Sequence, residues 1–121
     1  MSKKVLVVED TEDNRQILRD LLGMAGYTMI EAHDGAEGVA KAAEHKPDLI
    51  LMDIQMPVMD GYEATRRIKA DPALKAIPII AVTSYALSGD EDKARAAGCD
   101  GYIAKPYSPR QMLAKVRETI G

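Results

Sequence analysis

The chain of 121 residues lacks phenylalanine and tryptophan, and its aromatic residues, all of them tyrosine, amount to 4%. A core without large aromatic rings must be filled by aliphatic side chains, and apolar residues make up 46% of the sequence. A chain of this length can bury one continuous core. We therefore expect residues 1–121 to form a single globular domain.

Cysteine is nearly absent, because Cys99 stands alone and cannot form a disulfide within the chain. This usage fits a reducing compartment. The opening "MSKKVLVVED" reaches acidic residues after a short apolar run, which is unlike a signal peptide. No segment approaches the roughly 18–20 apolar residues that cross a membrane. These absences predict a cytoplasmic protein that makes no membrane contact.

An excess of positive charge is also missing, since 16 basic residues face 19 acidic ones and the net charge is −3. Proteins that bind nucleic acid usually present a strongly basic surface. The sequence therefore argues against direct binding of nucleic acid. It also contains no internal repeat and no low-complexity tract.

Short apolar segments alternate with longer segments that have helical spacing. The apolar segments, which we predict as strands, are 4–8, 27–32, 48–52, 77–82 and 101–104. The first helical segment carries Ile17, Leu18, Leu21 and Leu22 on one face. Thr11 or Asp13 could cap its start, and Gly23 or Gly26 lies near its end.

Four more helical segments follow, at 35–45, 61–71, 88–97 and after Pro109, which suits a first helical position. The segment 88–97 is rich in alanine, so we expect it to be the least firmly anchored helix. The apolar residues of the last helix are Met112, Leu113, Val116 and Ile120. Uniformly apolar strands that alternate with helices predict an α/β fold whose parallel sheet is covered on both faces.

Polar side chains stand where the predicted strands end. They are Glu9 and Asp10 after the first strand, Asp53 after the third, Thr83 and Ser84 after the fourth, and Lys105 after the fifth. Ligands of open parallel sheets bind at the carboxyl ends of the strands. If the first and third strands are neighbours, three carboxylates meet there, and a hard cation such as Mg²⁺ would relieve their repulsion. Each residue alone could equally be a cap, a turn residue or a solvated charge, so the prediction depends on the whole set.

The segments "VVED", "MDIQMPVMDG", "VTSYA" and "AGCDGYIAKP" carry a resemblance to a known family. Over its whole length the chain resembles the receiver domain of bacterial response regulators. This resemblance implies a flavodoxin-like (βα)5 fold with five parallel strands in the order 2-1-3-4-5. More narrowly, the chain is similar to the stand-alone regulators of cell division and development in α-proteobacteria, which implies a single receiver domain with no output domain.

The resemblance also implies roles for the polar residues. Asp53 would accept a phosphoryl group from a phosphohistidine on a sensor histidine kinase or a histidine phosphotransfer protein. Mg²⁺ would be held by Glu9, Asp10, Asp53 and the backbone carbonyl of Gln55. Lys105 and the Thr83 hydroxyl would each bind a phosphoryl oxygen. Such a protein assists its own phosphorylation and dephosphorylation but is not a conventional enzyme.

A switch follows from the same resemblance. Thr83 would move toward the phosphoryl group, and Tyr102 would turn into the vacated space, although a half-buried strand tyrosine is an equally good interpretation of Tyr102. The face formed by residues 88–120 would then bind a downstream protein, and we expect the protein to be a monomer. The residues expected to modulate the site are Gln55, Ser84, Tyr85 and Pro106, the last through a cis bond that aims Lys105 inward.

One other function stays open, and the sequence disfavours two more. The nearest is a stand-alone chemotaxis-type regulator that binds a motor or other machinery. A phosphatase with an aspartyl nucleophile usually has a second aspartate two residues later, where this chain has Gln55. A flavin or dinucleotide site favours a glycine-rich loop after the first strand, where this chain has "EDTEDN".

Overall fold

A computed structural model describes residues 3–54, 59–83, 90–105 and 107–120 of the chain. Strands and helices alternate strictly through these ranges. The strands are β1 (Lys4–Val8), β2 (Thr28–Ala32), β3 (Leu49–Asp53), β4 (Ile79–Thr83) and β5 (Gly101–Ala104). The helices are α1 (Glu12–Met24), α2 (Gly35–His45), α3 (Gly61–Ala70), α4 (Asp90–Ala97) and α5 (Pro109–Ile120).

The strands form one parallel sheet in the order β2-β1-β3-β4-β5. The predicted flavodoxin-like order is therefore confirmed. β1 pairs with β2 on one side and with β3 on the other, so that Val5 faces Met29 and Leu49. The chain changes direction across the sheet between β1 and β3, which is where a crevice opens at the carboxyl edge of such folds.

Side-chain alternation along the strands divides the interior into two cores. The first core lies between the sheet and helices α1 and α5, and Val7, Leu51 and Val82 contribute to it from the strands. The second core lies between the sheet and helices α2, α3 and α4, with Leu6, Met52 and Ala81 from the same strands. Both faces of the sheet are thus covered, as the uniformly apolar strands predict.

The strand boundaries differ slightly from the predicted ones. β1 and β5 lie where the sequence places them, whereas β2 and β4 start later, at Thr28 and Ile79. β3 runs from Leu49 to Asp53, so the aspartate is the last strand residue rather than the first residue after it. Residues 88 and 89, predicted as the start of a helix, lie outside the described residues.

Helix α1 corrects one prediction. Leu18 and Leu22 are buried as expected, but Ile17 is 57% exposed. Successive residues are separated by about 100° around a helix, and Ile17 lies on the side of Leu18 that faces away from Leu22. Thr11 is the N-cap residue, and Gly26, whose φ of 90° favours glycine, follows the end of the helix.

Helix α4 has the thin apolar face that its composition predicts. Of its described side chains, the buried ones are Ala94 and Ala97. Cys99 follows the helix and is a buried thiol 3.7 Å from the Thr65 hydroxyl. Burial raises the pKa of this thiol, in keeping with a packing role.

Candidate functional site

Two buried carboxylates stand side by side at the carboxyl edge of the sheet. Val8 of β1 is in register with Met52 of β3, so the next residues along the two strands, Glu9 and Asp53, become neighbours. Glu9 is 3% exposed and Asp53 4%, whereas Asp10 is exposed. One carboxylate oxygen from each of these three residues lies within 4.8 Å of the other two. The acidic cluster predicted from the strand ends is therefore present.

Lys105 reaches this cluster from the end of β5. Its Nζ donates to Glu9 Oε2 at 3.1 Å and to Asp53 Oδ2 at 3.5 Å. Burial opposes the charge of this ammonium group, but the negative charges of Asp53 and Glu9 outweigh that effect and raise the pKa of Lys105. The backbone N–H of Lys105 also donates to the carbonyl of Thr83 at 2.6 Å, which ties the lysine to the end of β4.

Glu9 is fixed by donors from the start of α1. Its Oε1 accepts hydrogen bonds from the Thr11 backbone N–H at 3.2 Å and from Asn14 Nδ2 at 3.3 Å. Burial opposes ionisation of Glu9, but hydrogen bonding with Asp53, the charge of Lys105 and the Asn14 amide together lower its pKa to about 2. Glu9 is therefore ionised at neutral pH and directs Oε2 toward Lys105.

The donor set of the cluster fits a magnesium ion. Mg²⁺ binds oxygen at about 2.0–2.1 Å, so two ligand oxygens on opposite sides of it are about 4.2 Å apart. The observed limit of 4.8 Å between carboxylate oxygens is close to that span.

Thr83 and Tyr102 lie on the last two strands of the sheet. Thr83 is the last residue of β4, is 1% exposed, and is in register with Ala104. Tyr102 is in register with Ala81 and packs against the second core. Since Ala81 belongs to that core and strand residues alternate, Thr83 and Tyr102 share one face of the sheet.

The other predicted site residues cannot be placed. Gln55, Ser84, Tyr85 and Pro106 lie outside the described residues, as does the bond between Lys105 and Pro106. Their roles stay predictions.

The start of α3 packs directly against the backbone of Asp53. Gly61 N–H donates to the carbonyl of Ile54 at 3.1 Å, and Asp60 caps the helix by accepting from Glu63 N–H. A Cβ atom on Gly61 would lie 2.4 Å from the carbonyl oxygen of Asp53. A glycine is therefore required at this position for the close approach of the helix.

Sequence reasoning missed four residues around the site. Asn14 and Arg15 contact Glu9, Gly61 contacts Asp53, and Tyr107 lies near Lys105. Burial raises the pKa of the Tyr107 hydroxyl, the Lys105 charge lowers it, and the charges of Glu9 and Asp53 raise it. Asn14 and Arg15 could have been predicted from the sequence. They lie in the first turn of a helix that follows a short loop, and such a turn lies close to the end of the preceding strand.

Comparison with known proteins identifies the class to which this fold and site belong. Residues 5–117 match the family model of the response regulator receiver domain, and the chain belongs to that family. Among curated relatives, the polar-differentiation response regulators DivK of Brucella anthropi and Brucella ovis are each 45% identical to it. Both alignments cover 100% of this chain and 98% of the relative.

Solved structures agree with this assignment. The chemotaxis protein CheY4 of Vibrio cholerae superposes with a TM-score of 0.93 at 32% identity, covering 98% of this chain and 99% of that one. A second structure is the receiver domain of a sensor histidine kinase of Pseudomonas aeruginosa, described with a magnesium ion in its active-site cleft. It superposes with a TM-score of 0.92 at 36% identity. It covers 100% of this chain and 99% of that one. In the described ranges no helix is both long enough and apolar enough to cross a membrane.

Proposed function

We propose that this protein is a response regulator that accepts a phosphoryl group on Asp53 from a phosphohistidine of a partner protein. The observation that carries the proposal is the contact of one lysine with two buried carboxylates. Lys105 Nζ lies 3.1 Å from Glu9 and 3.5 Å from Asp53 at the carboxyl edge of the sheet. A cation and a nucleophile are thereby held where a phosphoryl group could meet both.

The transfer requires alignment and charge neutralisation more than proton chemistry. An oxygen of Asp53 forms a bond to phosphorus while the nitrogen–phosphorus bond of the phosphohistidine breaks. The imidazole nitrogen keeps the bonding electrons and takes up a proton from solvent. Lys105 exchanges its contact with the Asp53 carboxylate for one with a phosphoryl oxygen, and the Thr83 hydroxyl, at the end of the neighbouring strand, donates to another.

The acidic cluster would hold Mg²⁺ through Glu9, Asp10, Asp53 and the backbone carbonyl of Gln55. When bound, the ion supplies neutralisation of negative charge on the phosphoryl oxygens. Two observations support this assignment, namely the spacing of the carboxylate oxygens and the magnesium ion described for the related Pseudomonas receiver domain.

Phosphorylation would be transmitted through Thr83 and Tyr102 to the face formed by residues 88–120. Thr83 and Tyr102 lie on one face of the sheet, which supports this coupling. The thin apolar face of α4 supports it too, because weakly packed elements rearrange at low cost. The test is Tyr102→Ala. Partner binding by the phosphorylated variant that equals the wild-type value would contradict the coupling.

For the partners, we propose histidine kinases or proteins of a phosphorelay rather than a motor. Identity to the DivK relatives, 45% over the whole chain, exceeds the 32% identity to the chemotaxis protein. A pull-down from cell extract with the phosphorylated protein, with the Asp53→Asn variant as control, distinguishes the two. Capture of motor components instead of kinases would favour a chemotaxis-type function.

Phosphorylation itself is tested by intact mass measurement after incubation with acetyl phosphate and Mg²⁺. We expect the wild type to gain one phosphoryl group and Asp53→Asn to gain none. Asp13→Asn is the matched control, because Asp13 is an exposed aspartate in the first turn of α1, and it should be labelled like the wild type. Labelling of Asp53→Asn, or of no protein, would refute the assignment.

A further inference from the structure

We propose that Arg15 is a positioning residue that fixes the Glu9–Asp10 turn in the geometry needed to bind the metal ion. The inference rests on the proposed magnesium site. The side chain of Arg15 is only 14% exposed. Arg15 lies in the first turn of α1 and extends back toward the end of β1.

The guanidinium group of Arg15 contacts three different acceptors. One terminal nitrogen donates to the backbone carbonyl of Glu9 at 2.6 Å, and the other donates to Glu12 Oε2 at 2.6 Å. The Nε atom lies 3.3 Å from Glu31 Oε1 on β2. Because the donors of arginine form a rigid planar fork, the two carboxylates hold the nitrogen that binds the Glu9 carbonyl in a fixed direction.

The Glu9 carbonyl belongs to the peptide group that leads into Asp10. This group is planar, so fixing its oxygen also fixes the backbone nitrogen of Asp10. On the other side of Glu9, its own N–H donates to the carbonyl of Ala32 at 3.0 Å. Both peptide groups that flank Glu9 are thus held, and two of the three clustered carboxylates leave the chain from this turn. Loss of the Arg15 contact would free the peptide group that carries Asp10, the exposed member of the cluster.

Arg19, one turn further along α1, provides a matched control. It binds Glu31 through two hydrogen bonds of 2.9 and 2.6 Å and lies 3.2 Å from Glu12 Oε1. It therefore shares both carboxylate partners of Arg15, but within the described residues it makes no hydrogen bond to Glu9. A purely structural role in attaching α1 to β2 would make the two arginines equivalent.

The experiment measures Mg²⁺ affinity by isothermal titration calorimetry for the wild type, Arg15→Met and Arg19→Met, together with unfolding in urea. Residues that orient metal ligands typically change metal affinity by about 10–100-fold when replaced. We expect Arg15→Met to weaken Mg²⁺ binding by about tenfold or more, Arg19→Met to leave it within about twofold of the wild type, and both variants to lose stability.

Equal Mg²⁺ affinity of Arg15→Met and the wild type would overturn this inference while leaving the proposed function intact. So would an equal loss in Arg19→Met. Failure of the wild type itself to bind Mg²⁺ would overturn both. If Arg15→Met does not fold, Arg15→Gln is titrated instead, because its amide keeps a polar group on a side chain shorter than that of arginine. The same results then support or overturn the inference.

Discussion

Replacing Gly61 by alanine tests how tightly α3 is fitted against Asp53. The added Cβ would lie 2.4 Å from the Asp53 carbonyl oxygen and 2.8 Å from Ile54 Cα, where ordinary contacts begin at 3.4 Å. The backbone must therefore shift by about 1 Å, and overpacking of this kind costs about 1–3 kcal/mol. Because both neighbours are backbone atoms that cannot rotate away, we expect a loss of about 2–3 kcal/mol in the free energy of unfolding.

The same shift should impair phosphorylation of Gly61→Ala, since a misplacement of about 1 Å at a reacting group can reduce a rate by about 100-fold. The measurements are urea unfolding and the rate of labelling by acetyl phosphate. Gly23→Ala is the control, because nothing lies within 4 Å of its added Cβ, and it should stabilise α1 by about 0.5–1 kcal/mol. If Gly61→Ala is as stable and as readily labelled as the wild type, the close approach does not constrain the site.

Three further predictions concern other parts of the fold. Lys69→Met removes three hydrogen bonds from Nζ, including one of 2.9 Å to Asp100, and should reduce the free energy of unfolding by about 2–3 kcal/mol; an unchanged urea midpoint would contradict this. In metal-free buffer Glu9, with its pKa near 2 against 4.5 when unfolded, contributes stability that is complete above pH 4.5 and lost as the pH falls toward 2. The difference in stability between the wild type and Glu9→Gln should therefore shrink on acidification, and a constant difference from pH 6 to about pH 3 would refute this pKa. The Cys99 thiol, 6% exposed, should react with a thiol reagent far more slowly in the native protein than in urea, and equal rates would show that it is accessible.

The sequence predicts the sheet well because its strands are short, apolar and flanked by clear helical patterns. The strand order 2-1-3-4-5, by contrast, came from the resemblance to receiver domains and not from the residues. Register was not predictable either, although it decides that Glu9 and Asp53 are neighbours. Two uniformly apolar strands show no alternation of polar and apolar residues, and it is this alternation that would indicate the register.

At the site, strand-end positions identify the acidic cluster and Lys105 but not the residues that orient them. The contact of Arg15 with Glu9 is made through a backbone carbonyl, which leaves no complementary residue type in the sequence to suggest it. The prediction for Ile17 was wrong for a related reason. Apolar spacing marks a face of α1, but the width of the buried part depends on how the helix is seated on the sheet.

The two cores on opposite sides of the sheet have a consequence for the energetics of substitution. Buried side chains on opposite faces of the sheet belong to separate clusters, and changes with no shared partners usually add independently. A cavity made beneath α1 and α5 should therefore not alter the cost of one made beneath α2 and α3. The carboxyl edge is the exception, because there Glu9, Asp53 and Lys105 share contacts and their effects should be strongly non-additive. Substitutions in the two cores are thus expected to act additively, whereas substitutions at the carboxyl edge are not.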